Sequence, residues 1–184
     1  MNRIVVALIA LIGSSLFIGA ATAQQKEKKM SILDLSVPTI DGEQKALSTY
    51  KGKVFLVVNV ASACGFTPQY TGLEKLWQDY KGKGLVVMGF PSNDFGAQEP
   101  GSEAEIKQFC STKFHVTFPM FAKVKTKGEG QALIYKMLAT KGEPKWNFHK
   151  YLVGKDGQVK AAFASSVTPE SAELRNAIDA ALKE

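Results

Sequence analysis

The stretch NVASACGFT, residues 59–67, places a single cysteine where a buried strand gives way to a helix. The run VFLVVNV, residues 54–60, is apolar and β-branched without alternation, which is typical of a strand covered on both faces in a parallel sheet. At such a junction, unpaired backbone N–H groups and the positive end of the helix dipole favour the thiolate form of a cysteine. Because the thiolate is the reactive form, Cys64 is the first candidate functional residue.

A strand–helix–strand unit is predicted around Cys64. Thr67 and Pro68 predict the start of a helix, with Thr67 as its N-cap and Pro68 in its first turn, and this helix extends to about Tyr80. Residues 85–90, LVVMGF, predict a second buried strand. Two strands joined through a helix in this way are expected to lie parallel, with a right-handed crossover.

The two ends of the chain carry antiparallel signals. Residues 31–35 and 44–47 flank a turn and predict an N-terminal β-hairpin. Residues 146–153 and 158–163 predict a second antiparallel pair, after which Thr168 opens a closing helix. Together these elements predict an α/β protein with a thioredoxin-like fold, in which helices flank a mixed central sheet and the reactive cysteine follows the first parallel strand.

Residues 1–23 have the features of a signal peptide. One basic residue, Arg3, precedes a long apolar run, and the Ala-Thr-Ala tripeptide at residues 21–23 fits a cleavage site that would leave a mature chain beginning at Gln24. The apolar run approaches the length needed to span a bilayer, so an uncleaved membrane anchor is the alternative. Cleavage predicts an exported, periplasmic protein without stable membrane insertion.

The remaining residues indicate one domain without a metal or nucleic-acid site. Residues 24–29 are polar and are predicted to form a flexible leader, and residues 30–184 suit a single compact domain. The net charge of +6 arises from 23 basic and 17 acidic residues, but the lysines are spread along the chain, which argues against nucleic-acid binding. The two cysteines and two histidines lack the short spacings of a zinc site, so we expect no metal and no cofactor.

The spacing around Cys64 favours peroxide chemistry. A thioredoxin-type oxidoreductase carries a second cysteine three residues after the first to resolve the mixed disulfide, but Thr67 occupies that position. A lone thiolate can attack a peroxide oxygen, which yields a sulfenic acid and releases water or an alcohol. Two alternatives stay open: a thiol–disulfide oxidoreductase acting on exported proteins, and a non-catalytic binding domain in which the two cysteines form a structural disulfide.

Three side chains could donate hydrogen bonds at such a site. Gln98 lies in the polar loop of residues 91–101 after the second strand, at the sheet edge where α/β folds place ligands. Trp146 and Asn147 precede a later strand and could approach the same edge. N–H donors would stabilise the thiolate and the leaving oxygen. Trp146 could equally be a core aromatic residue, and the two amides could be ordinary loop residues.

A family resemblance covers essentially the whole predicted domain. In order, four stretches resemble the signature blocks of the glutathione peroxidase family: NVASACGFTPQYTGLEKL (59–76), FPSNDFGAQEPGS (90–102), VTFPMFAKV (116–124) and WNFHKYLV (146–153). By this resemblance, Cys64 stands at the position of the peroxidatic cysteine. Three further residues would complete the catalytic tetrad of the family: Gln98, Trp146 and Asn147.

The second cysteine, Cys110, lies on a predicted helix. A capping box of Ser102 and Glu105 begins this helix, which ends near Ser111. Cys110 resembles the resolving cysteine of thioredoxin-dependent members of the family, which would condense with the sulfenic acid of Cys64. The alternatives are a small core residue and one half of a permanent disulfide. A resolving cysteine on a packed helix face could reach Cys64 only if the helix unwinds locally.

Two departures from the family pattern affect the expected partners. Residues 159–171 lack the arginine that the family often carries before its Pro-Glu turn, which weakens the case for a glutathione pocket. The segment between residues 124 and 146 is short, as in monomeric members that lack an oligomerisation loop. The resemblance therefore implies a monomeric thiol peroxidase of the oxidative stress response that reduces hydrogen peroxide and organic hydroperoxides. A thioredoxin-like protein is the expected reductant, and glutathione is the less favoured one.

Overall fold

The computed structural model describes residues 30–184, so the predicted signal peptide and leader lie outside the described residues. Apart from short 3₁₀ turns, this part of the chain forms six strands and four helices: β1 (Ser36–Pro38), β2 (Gln44–Ala46), β3 (Val54–Val60), α1 (Gln69–Tyr80), β4 (Leu85–Pro91), α2 (Glu103–Phe114), α3 (Leu133–Leu138), β5 (Lys150–Val153), β6 (Val159–Phe163) and α4 (Ala172–Lys183). No helix within residues 30–184 is long and apolar enough to cross a membrane.

The central sheet is built around β3. Its strand order is β4–β3–β5–β6, with β3 parallel to β4 and antiparallel to β5, and with β5 antiparallel to β6. Every residue of β3 and β4 is buried, as expected for uninterrupted apolar runs. The strands β1 and β2 form a separate antiparallel hairpin. The predicted mixed sheet, flanking helices and N-terminal hairpin are therefore confirmed.

Alternate residues of β3 contribute to two apolar clusters, one on each face of the sheet. Val54, Leu56 and Val58 pack in a cluster with residues of α1, α2 and α4. Phe55 and Val57 pack in a second cluster with α3 and with residues around the N-terminal hairpin. Because both clusters include the same strand, β3 is held from both sides, and its carboxyl end is a firm support for the loop that follows it.

The first strand of the hairpin lies further along the chain than predicted. Residues 31–35 do not form a strand, because the side chain of Ser31 accepts a hydrogen bond from the N–H of Leu33 and starts a 3₁₀ turn at Ile32–Asp34. Extended pairing with β2 begins only at Ser36. Local capping therefore replaces the strand pairing that the pattern predicted for this segment.

Capping residues also set the bounds of the helices. Helix α4 begins at Ala172 and not at Thr168, because the side chain of Ser171 accepts a hydrogen bond from the N–H of Leu174 and so serves as the N-cap. Helix α2 begins with the predicted capping box, and it extends past the predicted end to Phe114. The sequence patterns therefore predicted these helices correctly in kind and order, but not at every terminus.

Candidate active site

Cys64 lies in a tight loop between β3 and α1. Its sulfur accepts a hydrogen bond from the N–H of Phe66 at 3.4 Å, and 9% of the residue is exposed. Thr67 braces this loop, because its hydroxyl oxygen accepts a hydrogen bond from the N–H of Cys64 (3.0 Å) and donates one to the carbonyl of Ala61 (2.9 Å). The prediction that Thr67 caps α1 is wrong, since its hydroxyl is used within the loop and α1 begins only at Gln69.

The sheet order brings the predicted site residues to one edge. Because β3 runs parallel to β4 and antiparallel to β5, the carboxyl ends of β3 and β4 lie beside the amino end of β5. The loop after β3 carries Cys64, and the loop after β4 carries Gln98. The segment that enters β5 carries Trp146 and Asn147. Residues far apart in the chain therefore lie along the same edge of the sheet.

A backbone hydrogen bond connects the Gln98 loop to the Cys64 loop. The N–H of Ala63 donates to the carbonyl of Gln98 at 3.0 Å, which places Gln98 beside the residue that precedes Cys64. Gly96 and Ala97, immediately before Gln98, have positive φ angles of 65° and 52°. An alanine in the left-handed backbone conformation costs about 1–2 kcal/mol of folding free energy, so the surrounding contacts must hold this turn in place.

A second set of contacts holds the segment that enters β5. The side-chain amide of Asn59 in β3 donates to the carbonyl of Trp146 at 3.0 Å. The backbone carbonyl of Asn59 accepts a hydrogen bond from the N–H of Phe148 at 2.6 Å. The backbone of Phe148 has a left-handed conformation, with a φ of 62°. Its carbonyl accepts a hydrogen bond from the ammonium group of Lys150 at 2.8 Å. Asn147 is therefore fixed through both of its chain neighbours.

The sequence patterns did not indicate Asn59 and Lys150 as parts of the site. The available signal was a single polar side chain in an otherwise apolar strand, since a buried polar group needs a partner. Lys150 is completely buried, and burial lowers the pKa of its ammonium group to about 8, while the carboxylate of Glu170 acts in the opposite direction. At pH 7 Lys150 is still largely charged, which strengthens its hydrogen bond to Phe148.

Gln98 and Asn147 are in direct contact. The side-chain amide of Asn147 donates to Oε1 of Gln98 at 2.9 Å and reaches the carbonyl of Phe95 at 3.4 Å. The indole of Trp146 packs against the ring of Phe95, with ring centroids 6.0 Å apart, and 40% of Trp146 is exposed. Because Oε1 of Gln98 is occupied as an acceptor, the Nε2–H₂ group is the part of this amide that can donate to a substrate.

The sulfur of Cys64 has no direct hydrogen bond to these three side chains. Among the hydrogen bonds of residues 30–184, it accepts one, from Phe66. Gln98, Trp146 and Asn147 are thus brought together as a group, and the Cys64 loop joins them through the backbone. Across the same residues, no three His, Cys, Asp or Glu side chains are grouped so that they could hold a metal ion.

Cys110 is almost fully buried on the inner face of α2, with 1% of the residue exposed. Burial raises the pKa of its thiol to about 11. The hydroxyl of Tyr70 opposes this rise, and the charge of Glu99 adds to it. The thiol of Cys110 is therefore neutral at pH 7. Cys64 and Cys110 are both free thiols, and both border the same apolar cluster.

Residues 32–139 match the sequence profile of the family described as glutathione peroxidase. The chain belongs to the glutathione peroxidase family. The thioredoxin/glutathione peroxidase BtuE of Escherichia coli (strain K12) is 41% identical over 178 residues, which cover 83% of this chain and 97% of that protein. The hydroperoxy fatty acid reductase Gpx2 of Synechocystis sp. is 47% identical over 151 residues, which cover 82% and 98%.

The crystal structure of Trgpx in apo form superimposes on this member of the glutathione peroxidase family with a TM-score of 0.70. Its sequence is 37% identical, and the match covers 85% of this chain and 98% of that chain. This likeness confirms the predicted thioredoxin-like fold. Membership in the family makes the protein a peroxidase that acts through thiol chemistry.

In this family member, removal of the Asn147 amide is expected to slow peroxide reduction by about 10- to 100-fold, because Gln98, which the family resemblance predicts to be catalytic, loses the bond that orients it. Asn147→Ala removes the side chain, and Asn147→Asp keeps its shape without the donors. The measurement is the second-order rate constant from stopped-flow mixing with hydrogen peroxide. Asn176→Ala, on the exposed side of α4, is the control. Unchanged rates in both Asn147 variants would contradict this role.

Proposed function

We propose that the protein reduces hydrogen peroxide and organic hydroperoxides, with Cys64 as the peroxidatic cysteine and Cys110 as the resolving cysteine. The observation that carries the proposal is the hydrogen bond between the side chains of Asn147 and Gln98. Gln98 lies in the loop after β4, and its backbone carbonyl accepts a hydrogen bond from the residue before Cys64. Amide donors are thereby fixed close to a cysteine at the carboxyl edge of the sheet. A reaction that passes through a thiolate and a charged leaving oxygen needs such donors.

The first step of the proposed reaction oxidises Cys64. Its thiolate attacks one oxygen of the hydroperoxide, the O–O bond breaks, and the sulfur becomes a sulfenic acid. The second oxygen leaves with the bonding electron pair and takes up a proton, which gives water or an alcohol. In this proposal the N–H groups of Gln98 and Trp146 donate to that oxygen while negative charge develops on it, and Asn147 holds Gln98 in position.

The second step joins the two cysteines. The thiol of Cys110 loses its proton and attacks the sulfur of Cys64, an S–S bond forms, and the hydroxyl of the sulfenic acid leaves as water. With a pKa of about 11, the buried thiol must first reach water, where thiolate forms more readily. The capping box holds the amino end of α2 and residues 111–113 are exposed, so the helix would open from its carboxyl end.

A dithiol protein of the thioredoxin type is the proposed reductant of the new disulfide. The printed name of BtuE, thioredoxin/glutathione peroxidase, supports both thioredoxin and glutathione as donors. Within β6, which spans Val159–Phe163, the only cation is Lys160, and it is paired with Asp156 at 3.4 Å and with Glu184 at 2.7 Å. This strand therefore has no unpaired cation for a carboxylate of glutathione, which favours the protein donor.

The cellular location of the reaction is a further part of the proposal. We propose that residues 1–23 direct export to the periplasm and that the mature protein acts there as a monomer. The name of Gpx2, hydroperoxy fatty acid reductase, supports organic hydroperoxides among the substrates. A thiol–disulfide oxidoreductase is less well supported, since Thr67 stands where a second cysteine would be needed and its hydroxyl is bonded on both sides.

Thioredoxin is expected to support peroxide reduction with a kcat/KM at least about 100-fold higher than that of glutathione. A dithiol resolves its own mixed disulfide within one complex, whereas two glutathione molecules must react in turn. Steady-state kinetics of residues 24–184, run with the two donors side by side, measure the ratio. Equal efficiency of the two donors would contradict the choice of reductant, and a lack of peroxidase activity with either donor would contradict the proposed function.

A further inference from the structure

Glu99 follows Gln98 in the loop after β4, and its side chain has no part in the two proposed steps. The residue is 0% exposed, and neither oxygen of its carboxyl group has a hydrogen-bond partner among residues 30–184. The backbone holds the loop at this point, because the N–H of Glu99 donates to the side chain of Asn93 at 2.8 Å. A buried carboxyl group without partners lowers stability, so its presence calls for a functional explanation.

The side chain of Glu99 lies between the loop that carries Cys64 and the helix that carries Cys110. A cavity of about 310 Å³ borders Glu99, and it is lined by Ser62 of the Cys64 loop and by Ile106 of α2. Ile106 lies one helical turn before Cys110, and both residues are buried. Glu99 is therefore placed between the two segments that must meet when the disulfide forms.

Other buried polar groups around Glu99 also lack partners. Neither the hydroxyl of Ser62 nor that of Tyr70 has a hydrogen-bond partner among residues 30–184. Burial raises the pKa values of Tyr70 and Cys110, and the charge of Glu99 adds to the rise in both. The carboxylate of Glu99 thus acts on the thiol of Cys110, and the polar groups between the two cysteine segments are not occupied by structural hydrogen bonds.

The surroundings of Glu99 increase its affinity for a proton. Burial raises the pKa of its carboxyl group, whereas the hydroxyl and backbone of Ser62 and the charge of Lys123 act in the opposite direction. The raised pKa narrows the gap between this carboxyl group and an ordinary thiol, which makes the carboxylate a better proton acceptor than one in water. A carboxylate with this property, beside a thiol that must lose its proton, can serve as a base.

We propose that Glu99 accepts the proton of the Cys110 thiol during disulfide formation and returns it to the departing hydroxyl group. Opening of α2 releases the thiol toward the Cys64 loop, beside which Glu99 lies. The proton of the thiol passes to the carboxylate, and the electron pair left on the sulfur forms the S–S bond. The S–O bond of the Cys64 sulfenic acid breaks with its electron pair on oxygen, and this oxygen takes the proton from Glu99 and leaves as water.

The inference rests on the proposed roles of Cys64 and Cys110 and adds a proton acceptor to their second step. The titratable neighbours of Glu99 do not change charge in the same range of pH. Hydrogen bonds from Ser102 hold the pKa of Glu105 below its ordinary value, and the pKa values of Tyr70 and Cys110 are raised. A change in the rate of disulfide formation near neutral pH therefore reports on Glu99.

Glu99→Gln keeps the size of the side chain and removes the proton acceptor. The reduced protein is mixed with one equivalent of hydrogen peroxide, and the conversion of the sulfenic acid into the disulfide is followed by rapid quenching and mass measurement. At pH 7 the rate of this conversion is expected to fall about 100-fold. The wild-type rate should level off above the pKa of Glu99. The rate of the variant should keep rising about tenfold per pH unit, because hydroxide must then form the thiolate.

Glu105→Gln is the matched control, because Glu105 borders the same cavity and glutamine can also form the capping box. This control should keep the wild-type rate and pH profile. In a second variant, Glu99→Ala, added formate should restore the rate in proportion to its concentration, and thermal unfolding checks that each variant is folded.

If disulfide formation in Glu99→Gln keeps the wild-type rate, or slows without a change in its pH profile, the inference is overturned. The same holds if formate restores nothing to Glu99→Ala. A wild-type protein that forms no disulfide between Cys64 and Cys110 after peroxide is added would instead contradict the proposed function.

Discussion

Replacing Cys64 with serine is expected to lower the rate of peroxide reduction at least about a thousandfold. A serine hydroxyl stays protonated at neutral pH and is a poor nucleophile, whereas cysteine reacts as the thiolate. The loop between β3 and α1 should keep its conformation, because residue 64 donates its hydrogen bond to Thr67 from the backbone N–H and not from the side chain. A loss of rate would therefore report on the chemistry and not on unfolding.

Stopped-flow mixing with hydrogen peroxide measures this change, and thermal unfolding of the same variant checks that it is folded. Cys110→Ser carries the same substitution at the other thiol, so it is the matched control and should keep the fast first oxidation. A Cys64→Ser protein that consumes peroxide at a rate near that of the wild type would show that another group performs the reaction.

Replacing Cys110 with serine is expected to leave the first turnover unchanged and to lower the steady-state rate with thioredoxin at least about 100-fold. Cys110 acts only after Cys64 is oxidised, so its loss leaves a sulfenic acid without a partner thiol in the chain. Thioredoxin would then lack the disulfide that it reduces by thiol exchange. The variant should consume one equivalent of peroxide rapidly and then stall.

The size of the initial burst and the later steady-state rate are measured in one experiment with excess peroxide. Ser111→Ala changes an exposed neighbour on the same helix and serves as the control for a general effect on α2. Sustained turnover of Cys110→Ser with thioredoxin would mean that the donor reduces the sulfenic acid of Cys64 directly. In that case Cys110 would be a core residue of α2 and not part of the catalytic cycle.

The strongest sequence signals described the fold well. The apolar runs of β3 and β4 were predicted with almost the observed bounds, because a strand buried on both faces leaves no room for polar residues. The segments at residues 31–35 and at Thr168 were assigned wrongly, because side chains of neighbouring serines decide where those elements begin. Such capping depends on single hydrogen bonds, which periodicity does not reveal.

The composition of the candidate site followed from the family resemblance, but its geometry did not. The strand order explains why Gln98 and Asn147 lie at one edge, and yet their 2.9 Å contact joins residues that are 49 positions apart. Asn59 and Lys150 support Trp146 and Phe148 from within apolar strands. The local pattern shows only that each is a polar residue in such a strand, and it does not show which partner each one binds. The role of Thr67 was also not predictable from local spacing, which assigned its hydroxyl to a helix cap. In the structure this hydroxyl forms hydrogen bonds with the backbone of Cys64 and Ala61.

The mass of the reduced protein after one equivalent of hydrogen peroxide tests the two-cysteine cycle most directly. The two-cysteine cycle predicts that the protein loses the mass of two hydrogen atoms and that neither cysteine reacts any longer with an alkylating reagent. It also predicts a pair of disulfide-linked peptides that contain Cys64 and Cys110. Cys110→Ser should instead gain one oxygen at Cys64. A wild-type protein that gains oxygen at Cys64 while Cys110 remains open to alkylation after unfolding would contradict the two-cysteine cycle.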